Sequence, residues 1–184
     1  AVFCASNSGR TKEVVLLAKK LYASGNPHCY GLCANQGTLL EEATAQAFVL
    51  TCGWEQAVAA TKSVIEQALF YYSLLAHLAG RDPAADINDL ADKIRATLTQ
   101  SIDPELIQKA VRARTIYFAG YNDGVAEELT LKANEITRCK SDYLEGTYAV
   151  HGIEEIMDPH DIVLVVDPIE EEQQKFQDVL VKGV

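Results

Sequence analysis

Short apolar runs alternate along the chain with stretches of helical period. Val2–Ala5, Cys29–Cys33, Phe48–Thr51, Thr115–Ala119 and Ile162–Val166 are rich in β-branched, aromatic or other apolar residues and carry no charge. Runs of that kind read as strands buried on both faces. Helical spacing covers Thr11–Ala23, Leu39–Ala43, Val58–Ala79, Ile87–Thr99, Pro104–Arg112, Val125–Thr137, Glu145–Ile156 and Glu170–Val181. The alternation predicts an α/β protein with a doubly wound parallel sheet between helices, in three layers. Asp103-Pro104 reads as an N-cap followed by a first-turn proline, and Gly25-Asn26-Pro27 as a stop.

The polar, helical stretch Arg81–Ser101 reads as a bridge between two half-modules. TIYFAGYNDGVAEELTLKA echoes VFCASNSGRTKEVVLLA: each is a strand, a polar turn with glycine and a helix with an early glutamate. The expected organisation is a first half-module over 1–80, a helical bridge over 81–112 and a second half-module over 113–184.

Composition narrows the classes. With 184 residues and 48% hydrophobic content the chain can bury a core. No signal peptide is recognisable and no apolar run reaches the roughly 18 residues of a membrane helix, so no membrane partner is expected. A net charge of −10 argues against nucleic acid as a partner, and an anionic substrate must be caught by local geometry. Cys4, Cys29, Cys33, Cys52 and Cys139 are odd in number and lack zinc spacing. They read as free core thiols in a reducing cytoplasm, with no metal site.

The opening strand empties into Ser6, Asn7, Ser8, Gly9, Arg10 and Thr11 where a helix begins. Backbone N–H groups at a helix start, with hydroxyls beside them, suit a phosphate monoester. Ser8 or Thr11 acting merely as a helix cap is the competing reading.

Three further segments bear on that choice. SNSGRT, EQAVAATKS, Lys132-x-x-Glu135 and His151-Gly152 occur in this order between residues 6 and 152. In them the sequence resembles the sugar isomerase (SIS) family, which includes the isomerase domain of glutamine–fructose-6-phosphate aminotransferase and its deglycase and deaminase relatives. The resemblance implies a flavodoxin-like SIS fold and phosphosugar binding, without metal or organic cofactor. It also implies a homodimer, and Ser63–Leu78 is either an interface helix or a core helix. By similarity, Ser6, Asn7, Ser8 and Thr11 bind the phosphate, and Val58 and Ala60 line the sugar. Glu135 shuttles a proton between the carbonyl carbon and the carbon next to it, and His151 moves the proton of the anomeric hydroxyl during ring opening.

Elementary chemistry is compatible with these assignments. Aldose–ketose interconversion needs a base that takes a proton alpha to a carbonyl and returns it to the neighbouring carbon. One carboxylate suffices, and Lys132 nearby could keep it ionised or balance oxyanion charge. The competing reading is a helix-surface ion pair of Lys132 with Glu135, and for His151 a solvent-facing helix histidine. His28, His77 and His160 read as loop or helix-end residues, Glu170–Glu172 as a solvated helix start, and Trp54 as a core or interface aromatic that could also wall the pocket.

Departures from the family pattern are Tyr148, Ile153 and Ala60, where members carry Glu, Pro and Ser. The family's opening strand and turn are not found before Ala1, nor its last segment after Val184, so a longer chain or a partner is expected to complete the module. The leading expectation is an aldose–ketose isomerase or an amino-sugar-phosphate isomerase or deaminase. The alternatives are a non-catalytic sugar-phosphate sensor, a fructosamine-6-phosphate-type deglycase, and a plain nucleotide binder.

Overall fold

A computed structural model describes residues 1–121, 124–166 and 170–182. The chain divides into two compact units, Ala1–Thr99 and Gln100–Val184.

In the first unit three parallel strands stand in the order β1 (Val2–Ala5), β2 (Cys29–Cys33), β3 (Gln46–Val49). Val2 pairs with Cys29 and Tyr30 with Gln46. The helices are α1 (Lys12–Ala23), α2 (Leu39–Glu42), α3 (Lys62–Leu78) and α4 (Ala84–Leu98). Successive side chains of a strand point to opposite faces, and both faces of this sheet are covered. On one, Cys4, Cys29 and Cys33 pack against Val15 and Ala18 of α1 and Leu40 of α2. On the other, Leu32, Ala5 and Phe48 meet Phe70 and Tyr71 of α3. The ring centroids of Phe48 and Phe70 lie 5.0 Å apart and those of Phe3 and Phe70 5.9 Å, the second pair edge-on, as aromatic quadrupoles prefer.

The second unit holds β4 (Ile116–Gly120) between β5 (Ser141–Glu145) and β6 (Ile162–Val166), all parallel. With them come α5 (Pro104–Arg112), α6 (Val125–Lys132) and α7 (Gln173–Lys182). Ile116 and Phe118 face Ala126 of α6, whereas Tyr117 and Ala119 face Leu144, Ala149, Val150 and Phe176 of α7. That alternation on a fully buried strand explains its unbroken apolar run. Each unit is therefore a three-layer α/β sandwich. Residues 122 and 123, in the glycine-bearing turn of the internal echo, lie outside the described residues.

Local chemistry sets several boundaries. Asp103 caps α5, its carboxylate accepting from the Glu105 N–H at 2.8 Å, with Pro104 in the first turn. α1 stops before Gly25, which stands at φ 79°. The bridge stretch forms α4, which belongs to the first unit, while α5 belongs to the second.

The main departure is over 141–156. The helix expected at Glu145–Ile156 is absent: β5 ends there, and two 3-10 turns follow, Tyr148–Val150 and Ile153–Ile156. Gly146 and Gly152, at φ 57° and 106°, break the continuous helix that the periodicity suggested. β3 begins and ends two residues earlier than expected, and α3 begins four residues later, at Lys62.

Cys4, Cys29 and Cys33 are buried free thiols, whereas Cys52 and Cys139 are only partly covered. Burial, reinforced by the Cys29 thiol 4.0 Å away, pushes Cys4 up to about 11 and keeps it protonated.

Candidate functional site

The loop after β1 is held by the chain around it. The Ser6 N–H donates to the Leu32 carbonyl at 2.9 Å, extending the β1–β2 ladder by one bond. The Asn7 carbonyl accepts from the Ala34 N–H at 3.0 Å and from the Asn35 amide at 3.2 Å. The Gly9 carbonyl accepts from the Leu40 N–H at 3.0 Å, tying the loop to α2. Gly9 itself stands at φ 63°, and a Cβ there would lie 2.4 Å from the Cβ of Thr38. Only glycine fits.

This bears on the hydroxyls. Thr11 is the N-cap of α1, yet its side chain makes no capping bond. Its Oγ1 instead lies 2.7 Å from Oγ of the buried Ser6, and Ser8 Oγ accepts from the Arg10 N–H at 3.2 Å. The carboxamide oxygen of Asn7 is buried without a hydrogen-bond partner. The hydroxyls thus gather at the start of a helix whose first N–H groups lack intrahelical acceptors, an arrangement suited to an anion.

A second loop, 50–61, carries Val58 and Ala60. Two carboxylates organise it. Glu55 accepts from the Thr61 N–H at 2.7 Å, the Thr61 hydroxyl at 2.9 Å, the Lys62 N–H at 2.8 Å and the Ser63 hydroxyl. Glu66 accepts from the Thr51 N–H at 2.6 Å, the Thr51 hydroxyl at 2.5 Å and the Cys52 N–H at 2.6 Å. Lys62 Nζ donates to the Cys52 and Trp54 carbonyls at 2.7 and 3.1 Å. Between these ties Val58 is fully exposed and Ala60 partly so. Trp54 is 67% exposed, which overturns its reading as a core aromatic.

The donors hold Glu55 down at about 2 rather than 4.5, the Ser63 hydroxyl first among them. For Glu66 partial burial acts upward, but the Thr51 and Cys52 donors outweigh it and hold it at about 2. A depressed carboxylate contributes stability that is complete above its unfolded value and is lost as pH falls through its folded value. The 50–61 loop is thus expected to stay tied down to about pH 4.5 and to come loose between there and about pH 2. Trp54 is the chain's single tryptophan, so its fluorescence reports on the loop. The emission should change over that acid range, and Glu55→Ala should carry the released-loop emission at pH 7. An unchanged spectrum in the variant would contradict the tie.

In the second unit, α6 runs into a π-helical turn, Ala133–Thr137, closed by Arg138 at φ 57°. Asn134 brackets the start of β5, accepting from the Ser141 N–H at 3.0 Å and donating to its carbonyl at 3.3 Å. Glu135 lies within this turn, its Oε2 2.6 Å from Lys132 Nζ, which also meets Glu128 at 3.4 Å. Partial burial acts to lower Lys132, but the Glu135 hydrogen bond and the two carboxylate charges outweigh it and raise it above 10.5. Lys132 is therefore a fixed cation whose side chain is 17% exposed, beside a carboxylate that is 35% exposed. π turns inside helices often accompany functional sites.

His151 follows the first 3-10 turn, its N–H donating to the Tyr148 carbonyl at 3.2 Å. It is exposed, but not on a helix, and its Nε2 lies 3.1 Å from Lys175 Nζ. His28 and His77 are exposed, and His160 pairs with Asp158 at 2.8 Å. Glu170–Glu172 forms a 3-10 turn. Among the described residues no group of three or more His, Cys, Asp or Glu side chains is placed to hold a metal ion. The structure thus brings Ser6 to Thr11, and Lys132 to Glu135 and Glu128. Sequence reasoning missed Glu55, Glu66, Lys62 and Lys175. Glu55 was detectable, since it opens the EQAVAATKS segment.

Parallel three-layer units with a hydroxyl-rich turn between β1 and α1 define an α/β protein of the flavodoxin-like class. No family model matches the chain. A glutamine–fructose-6-phosphate aminotransferase (isomerizing) from Leifsonia xyli subsp. xyli is 28% identical over 176 residues, covering 89% of this chain and 28% of that protein. A provisionally assigned phosphosugar isomerase from Silicibacter pomeroyi DSS-3 superposes with a TM-score of 0.81 at 23% identity, over 99% of this chain and 57% of that one. Glucosamine-6-phosphate deaminase from Thermotoga maritima gives a TM-score of 0.71 at 22% identity, over 98% and 57%. These similarities bear out the resemblance to the SIS family drawn from the motifs. The chain spans 28% of the length of the curated relative and 57% of each of these two structures.

Proposed function

We propose that the chain binds a hexose 6-phosphate and interconverts its aldose and ketose forms, or the corresponding amino sugar. The observation that carries this reading is the pair of Lys132, at the end of α6, with Glu135 in the π turn, at 2.6 Å. In the proposal, Glu135 takes the proton from the carbon beside the carbonyl and returns it to the former carbonyl carbon of the enediol. Lys132 offsets the charge developing on the enediol oxygen. His151 moves the proton of the anomeric hydroxyl during ring opening. Ser6, Asn7, Ser8 and Thr11 receive the phosphate, and Val58 and Ala60 contact the sugar. The names of the relatives support this substrate class.

A sensor that binds the sugar phosphate without turnover is the second reading, favoured by the half-exposed, ion-paired state of Glu135. Incubating the full chain with fructose 6-phosphate and with glucosamine 6-phosphate separates the two. Formation of the isomeric sugar, or release of ammonia, supports the enzyme. Saturable binding without any product supports the sensor.

We further propose a cytoplasmic homodimer. Free thiols, and the lack among the described residues of any helix long and apolar enough to cross a membrane, are compatible with that location. Sedimentation velocity at micromolar concentration should give a dimer, and a monomer would contradict it.

A further inference from the structure

Lys175 is 24 residues from His151 and belongs to no motif of the sequence, yet its ammonium meets the imidazole at 3.1 Å. Packing holds the two backbones in place. Lys175 is followed by Phe176, 6% exposed, and His151 is preceded by Ala149 and Val150, both buried, and all three pack in one cluster with Tyr117, Ala119 and Leu144. The turn bearing His151 is further tied by the Gly152 N–H, which donates to Glu154 at 2.6 Å. The competing partner of Lys175, Glu172, lies farther off at 3.7 Å. By contrast, His160 turns its Nδ1 to a carboxylate, and His28 turns its Nδ1 to a phenol oxygen.

An ammonium carries three N–H donors and no lone pair, so in this contact it can only donate. Nε2 of His151 must then be the accepting nitrogen. A neutral imidazole has one donor and one acceptor, which puts the ring proton on Nδ1.

We propose that Lys175 is a positioning residue that holds His151 as the Nδ1–H tautomer, so that ring opening runs as a relay. Nδ1–H gives its proton to the sugar's ring oxygen, Nε2 takes one from the Lys175 ammonium, and the proton of the anomeric hydroxyl returns through water to the Lys175 amine. This rests on the reading of His151 as the ring-opening residue only for its functional consequence; the tautomer stands on the geometry. The contact also fixes the ring's orientation, because the accepting lone pair lies in the ring plane and must point at the α7 side chain.

The test is long-range proton–nitrogen correlation NMR of the histidine rings in the full chain near pH 8, with His151→Gln to assign the signals. Wild type should show a protonated Nδ1 and an unprotonated, accepting Nε2 at His151. Lys175→Met should move the ring proton toward Nε2 or average the two, while Lys175→Arg, which keeps a donor, should preserve the wild-type pattern. Unchanged signals of His28, His77 and His160 confirm that each variant is folded. A wild-type Nε2–H tautomer, or a Lys175→Met spectrum identical to wild type, overturns the proposal. With turnover of fructose 6-phosphate, Lys175→Met should lower kcat with little change in KM. A tautomer change without any wild-type turnover would sink the isomerase reading and leave the positioning role intact.

Discussion

Glu135→Gln should lower kcat for sugar-phosphate isomerisation by about 10²–10⁴-fold while leaving substrate affinity close to wild type. That loss corresponds to about 3–5 kcal/mol of transition-state stabilisation. Glutamine keeps the size of the side chain and an oxygen that can still accept from Lys132, but it has no basicity with which to take a carbon-bound proton. The same substitution should barely touch stability, because an ion pair one turn apart on a helix is worth only about 0.2–0.5 kcal/mol, and Glu135 is 35% exposed. An activity loss therefore cannot be blamed on unfolding. Full activity in the variant would reduce the pair to a surface contact.

Gly9→Ala should cost about 2–4 kcal/mol and weaken phosphate binding. A left-handed backbone costs a non-glycine residue about 1–2 kcal/mol, and Gly9 stands at φ 63°. The new methyl would also meet Thr38, which is 1% exposed and has little room to yield. Thr38 is the N-cap of α2, accepting from the Glu41 N–H at 3.3 Å while its own N–H donates to Glu41 at 2.7 Å. Displacing it adds a lost cap, worth about 0.5–2 kcal/mol. Gly37→Ala is the control, since Gly37 has φ 66° with open space around its missing Cβ. Urea unfolding should rank Gly9→Ala well below Gly37→Ala, and only the first should weaken phosphate binding. Equal midpoints would mean that Thr38 moves aside freely.

Much of this fold could be read directly from the sequence. β1 and β2 are placed residue for residue because buried parallel strands carry unbroken apolar runs, and α5 because Asp103-Pro104 is a strong start signal. β5 escapes the pattern because SDYLE leaves Asp142 and Glu145 exposed and buries only Leu144 deeply. Its polar composition, followed by Tyr148, Ile153 and Ile156, mimics helical period. Val58 and Ala60 fall at the start of a stretch of helical spacing, whereas the Glu55 carboxylate starts α3 only at Lys62. The hydroxyl-rich loop 6–11 is legible as a cluster, while the sequence leaves its capping reading open; the Ser6–Thr11 contact and the missing cap bond favour the anion cradle. The π turn under Glu135 is held by Asn134 against Ser141, and the Lys175–His151 contact joins residues 24 apart; neither leaves a periodic signal in the sequence.

The account depends most on proton transfer by Glu135. Incubating fructose 6-phosphate in D2O with wild type and Glu135→Gln, and following deuterium at the C1 carbon beside the carbonyl by proton NMR, tests that directly. Deuterium entering with wild type and not with the variant is the predicted result. Incorporation at equal rates with both, or with neither despite saturable binding, would contradict it.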